Sequence, residues 1–244
     1  MGRSNSSFKE HDNGRKEVKE DLIKVSLFLD VETPITFRDQ PGIQSAVLYT
    51  EINLCNLNCY HCHNRHGYNE YKGKKEKLSY KKLKEKLLML KALGVELIII
   101  SGGEPTLEKK LEEGLRFIRS LGFSVRVDTN GTNPEVIQRL IEKKVVNGFA
   151  LDIKIPLKVR YTPQELKRFK RVLFSTEDVD DEAVLNYSEK LMTSLEIIKK
   201  NPLQYTVFRT VEYPLLLEED KNEIRKLLEF SPHQFNPFYP VEEE

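Results

Sequence analysis

The sequence predicts an α/β fold, a parallel sheet curled into part of a barrel, and three observations carry that prediction. Apolar runs of strand length alternate with amphipathic stretches of helix length from residue 45 almost to the C-terminus. The connections between them are a few residues long, as crossover helices of a parallel sheet require. Polar residues gather just after the apolar runs, at Ser101-Gly102-Gly103-Glu104, Asp128-Thr129-Asn130-Gly131 and Asp152-Ile153-Lys154, where parallel sheets build their sites. About six strand–helix units fit the chain rather than the eight of a closed barrel, so the expected architecture is a partial (β/α)6 barrel with a lateral opening.

In order along the chain, residues 1–21 are polar and are expected to be disordered, ahead of one domain over 22–244. They lack the apolar core of a secretory signal, and Gly2 with Ser6 fits a myristoylation pattern only loosely. "LIKVSLFLDV" (22–31) and "TPITF" (33–37) read as extended, and "DQPG" (39–42) as a turn. "SAVLYTEI" (45–52) is a buried strand. Ser79 caps a helix whose Leu83, Leu87, Leu90 and Leu93 are expected on one face with Met89 in the core, and Gly94 ends it. "VELIIIS" (95–101), "FSVRVDT" (123–129), "NGFALDIKI" (147–155) and "QYTVFRTVEY" (204–213) are strands, with a last one near 233–239. Helices are expected over 107–121, from Pro134 to 143, over 181–200 and over 218–229. Thr162, Pro163 and Glu165 form a capping box at another helix start.

The chain has 244 residues, a net charge of +1 and no apolar run near the ~18 residues of a membrane span, so neither a membrane nor a nucleic acid is expected as partner. The stretch 72–86 holds eight lysines and two glutamates, which reads as a solvated helix face rather than a docking site. All three cysteines lie in "CNLNCYHC" (55–62). An odd, clustered set argues against a disulfide framework and for a metal in a reducing, cytoplasmic setting. Cys55, Cys59 and Cys62 could hold zinc with His66 as a fourth ligand, an electron-carrying iron–sulfur centre, or a cluster with one iron left open.

"CNLNCYHCHN" resembles the CxxxCxxC motif of the radical S-adenosylmethionine (SAM) superfamily, and "SGGEP" (101–105) matches its later glycine-rich segment. The resemblance implies a radical-SAM partial barrel with one 4Fe-4S cluster on Cys55, Cys59 and Cys62, completed by SAM. It places His61, where the family usually has an aromatic residue, and His63 beside the cofactor. Gly102 and Gly103 would admit its methionyl amine, and Glu104 would fix that loop.

"DQPGIQSAVLYTEINLCNLNCYHCHN" resembles the opening of glycyl-radical-enzyme activating enzymes, with Gln40 where those often carry Trp. "VDTNG" (127–131) and "LDIK" (151–154) resemble their D-T-N-G and D-x-K segments. The resemblance therefore implies a monovalent cation on Asp128, Thr129 and Asp152, with Asn130, Asp152 and Lys154 at the cofactor. The alternative for Asp128 and Asp152 is helix capping. "FRTVEYP" (208–214) makes Arg209 a cofactor contact or an ordinary ion pair, and "HQFNPFYP" (233–240) resembles the ending of activators of anaerobic ribonucleoside-triphosphate reductase. The likeness spans residues 38–240. It implies an activase whose substrate is the glycine loop of another protein and whose electrons come from a donor such as flavodoxin or ferredoxin. The rivals are a small-molecule radical enzyme such as a 7-carboxy-7-deazaguanine synthase, and a zinc-binding interaction module.

Overall fold

Runs rich in Ile, Val and Leu, buried on both faces, favour parallel strands covered by helices. The computed structural model describes residues 24–66 and 76–241 and has six parallel strands, the first five largely buried and the last, HQFN, partly exposed. They are β3 (Ser45–Tyr49), β5 (Leu97–Ser101), β6 (Ser124–Thr129), β7 (Gly148–Asp152), β8 (Val207–Val211) and β9 (His233–Asn236). They stand in that order, each parallel to the next, and the two-residue β2 (Ile35–Thr36) pairs antiparallel to β3 at the edge. The expected partial (β/α)6 barrel is present, except that among the described residues no helix follows β9. The chain there runs on to residue 241 without regular secondary structure.

The helices follow from capping and apolar spacing. Helix α1 (His63–His66) is one turn after the cysteines. Helix α2 (Tyr80–Ala92) starts at Ser79, whose hydroxyl accepts from Lys82 N. Helices α3 (Leu111–Ser120) and α4 (Pro134–Glu142) cross between β5, β6 and β7, and α7 (Glu218–Leu227) lies between β8 and β9. Two helices span the β7–β8 connection, α5 (Pro163–Phe174), with its capping box between Thr162 and Glu165, and α6 (Asp181–Lys200). One face of the sheet, with Ile98, Ile100, Val127, Phe149, Leu151 and Phe208, packs on the helices in one continuous core. Period-2 alternation turns Ile99, Arg126, Asp128, Asp152 and Arg209 to the opposite face.

Two expectations about α2 need correction. Met89 is 55% exposed and Leu93 is 53% exposed, whereas Leu83, Leu87 and Leu90 are buried. At about 100° per residue, Leu87 and Leu90 lie within about 40° of Leu83, while Leu93 is about 80° away and Met89 about 120° away. The lysines at 81, 82 and 84 are exposed as expected. Lys86 is not, because its ammonium donates to Val31 O (2.7 Å) and Thr33 Oγ1 (3.0 Å). A second small sheet was not foreseen: β1 (Val25–Leu29) pairs antiparallel with β4 (Lys77–Ser79) and packs on β3, α2 and α3. The expectations for the 1–21 tail and for the lysines at 72, 74 and 75 fall outside the described residues.

Candidate active site

The loop after β3 carries the three cysteines, none in a disulfide. Its backbone is held from behind by the last turn of α5, whose carbonyls have no partner within the helix. Asn58 N donates to Leu173 O and Tyr60 N to Val172 O, both at 3.0 Å, on either side of Cys59. Ser175 ends α5 in the left-handed conformation, and its hydroxyl donates to Asn58 O at 2.8 Å. Asn56 joins the loop to the end of β6, donating to Thr132 Oγ1 (2.8 Å) and accepting from Asn130 Nδ2 (3.0 Å). Burial raises the Cys55 thiol and pushes Cys59 up to about 12, with the nearby Lys154 ammonium pulling the other way. Free thiols in such a place stay protonated unless a metal displaces the proton.

The loop after β5 lies against this segment. Gly103 N donates to Glu51 O (3.3 Å) and Glu104 N to Leu54 O (2.8 Å). A Cβ on Gly103 would fall on the Ile52 and Leu54 carbonyls, and one on Gly102 on the Thr50 hydroxyl. Asn64 Nδ2 donates to Gly102 O at 2.5 Å. The Glu104 side chain is buried, at 1% exposure. Its Oε1 accepts from Thr106 N (3.0 Å), Thr106 Oγ1 (2.5 Å) and Thr129 Oγ1 (2.7 Å), and its Oε2 from Asn130 N (2.7 Å). Burial raises the carboxyl, and these bonds oppose the rise. Glu104 thus bolts the β5 loop to the β6 loop. Glu104→Gln would set an amide against a donor. It is expected to cost about 2 kcal/mol and lower the melting temperature by roughly 4–8 °C, checked by thermal circular dichroism.

A row of alternating charges crosses the sheet face that looks away from the helices. Arg126, fully buried, donates to Asp39 O (2.7 Å) in the 39–42 turn and to Asp128 Oδ1 (3.1 Å). Arg209 Nη1 reaches Asp128 Oδ2 (2.9 Å) and its Nε reaches Asp152 Oδ1 (3.0 Å). Lys154 Nζ meets Asp152 Oδ2 at 3.3 Å. Burial works against charge on Asp152, but Arg209 and Lys154 outweigh it and hold the carboxyl below its usual range. Burial likewise opposes the Lys154 ammonium, which Asp152 and Cys59 keep well above its usual value. Tyr187 of α6 braces this end: its hydroxyl accepts from Lys154 N (3.1 Å) and donates to Asp152 O (3.3 Å).

These groups surround one cavity of about 300 Å³, at the small end of ligand sites. Cys55, Cys59 and Cys62 line it together with Gly102, Gly103, Glu104, Asp128, Thr129, Asn130, Asp152, Lys154 and Arg209. His61 and His63 are at its rim, but each has a ring nitrogen engaged by the C-terminal segment. His61 Nδ1 lies 3.0 Å from Val241 O, and His63 Nε2 lies 2.8 Å from Tyr239 O. Phe238 stacks on Tyr60 with centroids 5.8 Å apart.

The profile of the Radical SAM superfamily matches residues 52–231. The chain belongs to the radical SAM superfamily. This radical SAM protein is 31% identical over 212 residues to a protein of Methanocaldococcus jannaschii that bears the provisional name glycyl-radical enzyme activating enzyme, covering 84% of the chain and 79% of that relative. It is also 31% identical over 117 residues to the 7-carboxy-7-deazaguanine synthase of Clostridium acetobutylicum, about half of each chain (47% and 51%). The solved structure of Streptococcus suis SuiB bound to S-adenosylmethionine matches with a TM-score of 0.55 at 12% identity, a likeness of fold alone. That match covers the whole chain but only 48% of SuiB, so the chain spans about half that protein's length.

Membership implies a 4Fe-4S cluster and SAM, and the donors of this radical SAM protein fit them. Three free thiols, two glycines set against backbone and a lysine ammonium share one cavity. Among the described residues no three His, Cys, Asp or Glu side chains converge as one metal ion would need. The His66 side chain, the fourth ligand of the zinc arrangement, lies outside the described residues, whereas a four-iron cluster takes each thiolate on a different iron. His233 is structural, its Nε2 lying 2.9 Å from Thr210 Oγ1. The sequence reading missed Asn56, Arg126 and Tyr187. Asn56, inside the cysteine motif, was the one with a usable signal.

Proposed function

We propose that this radical SAM protein activates a partner enzyme by taking a hydrogen atom from the Cα of a glycine in that partner. The observation that carries the reading is the convergence of the D-T-N-G and D-x-K segments on the cavity of the three thiols. The similarity to the M. jannaschii protein over most of both chains supports it. Cys55, Cys59 and Cys62 would hold the cluster. Gly102 and Gly103 would offer backbone to the cofactor amine, Lys154 would meet its carboxylate, and Asn130 would border it. His61 and His63 would close the rim with the C-terminal segment. When bound, the reduced cluster and SAM supply a 5′-deoxyadenosyl radical, and the chain's own part is to orient, shield and keep water out.

The partner proposed is an anaerobic ribonucleoside-triphosphate reductase, with flavodoxin or ferredoxin as electron donor. The reading rests on the "HQFNPFYP" tail, which lies along the cavity rim. Among the described residues no helix is long and apolar enough to cross a membrane. The test is electron paramagnetic resonance of reduced, reconstituted protein with SAM and such a reductase. A glycyl doublet on the partner with 5′-deoxyadenosine supports the activase. 5′-Deoxyadenosine without a protein radical favours the second reading, a small-molecule enzyme like the clostridial relative.

Asp152 lies between Arg209 and Lys154, and so should affect the cofactor more than the metal. Asp152→Ala is expected to weaken SAM binding about tenfold or more while leaving iron content unchanged. Calorimetry and iron analysis would check this, and unaltered affinity would count against the assignment.

A further inference from the structure

The glycyl-radical activase resemblance places a monovalent cation on Asp128, Thr129 and Asp152, and the donors at that place do not fit one. All four carboxylate oxygens already face a cationic donor. Asp128 Oδ1 takes Arg126 Nε at 3.1 Å and Oδ2 takes Arg209 Nη1 at 2.9 Å. Asp152 Oδ1 takes Arg209 Nη2 at 3.0 Å and Oδ2 takes Lys154 Nζ at 3.3 Å. The Thr129 hydroxyl donates to Glu104 (2.7 Å) and accepts from Gly131 N (3.1 Å). With Asp39 at the far end, three carboxylates stand against Arg126, Arg209 and Lys154, so the row is neutral without an added ion. The Asp128 side chain is 13% exposed and that of Arg209 20%, while Asp152, at 32%, is the member of the row nearer to water. A further cation beside the guanidinium would meet a like charge, and the carboxylates that could offset it are already paired.

We propose that Arg209 is the built-in cation of this protein, bridging Asp128 and Asp152 where the resemblance calls for a monovalent metal ion, so that the site binds its cofactor without one. A guanidinium suits the task because it is permanently charged and its planar fork can serve two carboxylates at once. Arg126, itself held by Asp39, completes the arrangement by occupying the oxygen of Asp128 that Arg209 leaves open. Arg209 is on this account a positioning residue. It acts on the cofactor through Asp152 and, through that carboxylate, Lys154.

The inference rests on the cavity being the SAM site, and one experiment separates the two. SAM affinity of the reconstituted protein is measured by calorimetry in choline, sodium and potassium chloride at matched ionic strength. The expected result is the same dissociation constant in all three, within about twofold. Arg209→Ala should bind at least about tenfold more weakly in choline and recover most of the loss in potassium. Arg209→Lys keeps a charge on the chain and should remain indifferent to the salt. Should the alanine variant not fold, the wild type and the lysine variant still decide. A wild-type affinity that rises saturably with sodium or potassium overturns the inference while leaving the SAM site in place. Absence of SAM binding in every salt overturns both.

Discussion

Cys59→Ala is expected to abolish SAM cleavage, with no 5′-deoxyadenosine above background and iron content well below that of the wild type. Cys59 is the middle of the three thiols and the most buried, at 9% exposure. The backbone on both sides of it is anchored to the end of α5. The sulfur position is therefore fixed by the fold, and no fourth cysteine exists to replace it. The nearest imidazoles cannot step in without breaking other contacts, because His61 and His63 are held by the C-terminal backbone. The fold itself should survive, since losing a sulfur from a loop is a small change beside the core under the sheet. Far-ultraviolet circular dichroism like that of the wild type, with loss of the brown chromophore, is the expected pair of results. Full turnover in this variant would sink the cluster assignment.

The parts of this fold that were legible in the sequence are those whose signal is local. Each parallel strand except the last, HQFN, is a short run rich in apolar residues closed off by Gly, Pro or polar residues, and the capping box at Thr162 marks its helix to the residue. The β1–β4 sheet was hidden because its second strand is three residues long and partners a strand some fifty positions earlier. Nothing in "KLS" among so many lysines distinguishes a strand from the start of the helix beside it. The cysteines, glycines and acidic residues of the site were readable because each kind stands out at its spacing. Arg126 did not, since an arginine in "SVRVDT" reads as the solvent side of a strand until Asp39 and Asp128 are found beside it. Tyr187 brings its hydroxyl to residues 152–154 from a helix that begins nearly thirty residues later. No spacing rule reaches that far.

Gly103→Ala is the substitution at the glycine-rich loop with the largest expected effect on stability and cofactor affinity together. The added Cβ would land on the carbonyl groups of Ile52 and Leu54, which are backbone and cannot rotate aside. Leu54 is also bound to the loop, its carbonyl accepting from Glu104 N, and it leads directly into Cys55. Relief of the clash must therefore move either the β5 loop or the start of the cysteine loop. Overpacking of this kind costs about 1–3 kcal/mol or more, and here the displacement goes straight to the first thiol. The expected result is a melting temperature lower by several degrees, reduced iron uptake and SAM binding at least about tenfold weaker. Gly42→Ala makes the contrast. Gly42 has a φ of +80° but nothing within 4 Å of its Cβ position, so only the backbone strain of about 1 kcal/mol remains. That variant should lose stability and keep SAM affinity. If Gly103→Ala behaved like Gly42→Ala, the two loops would not be as tightly apposed as their hydrogen bonds indicate, and close backbone approach would lose its place in the account of the cofactor site.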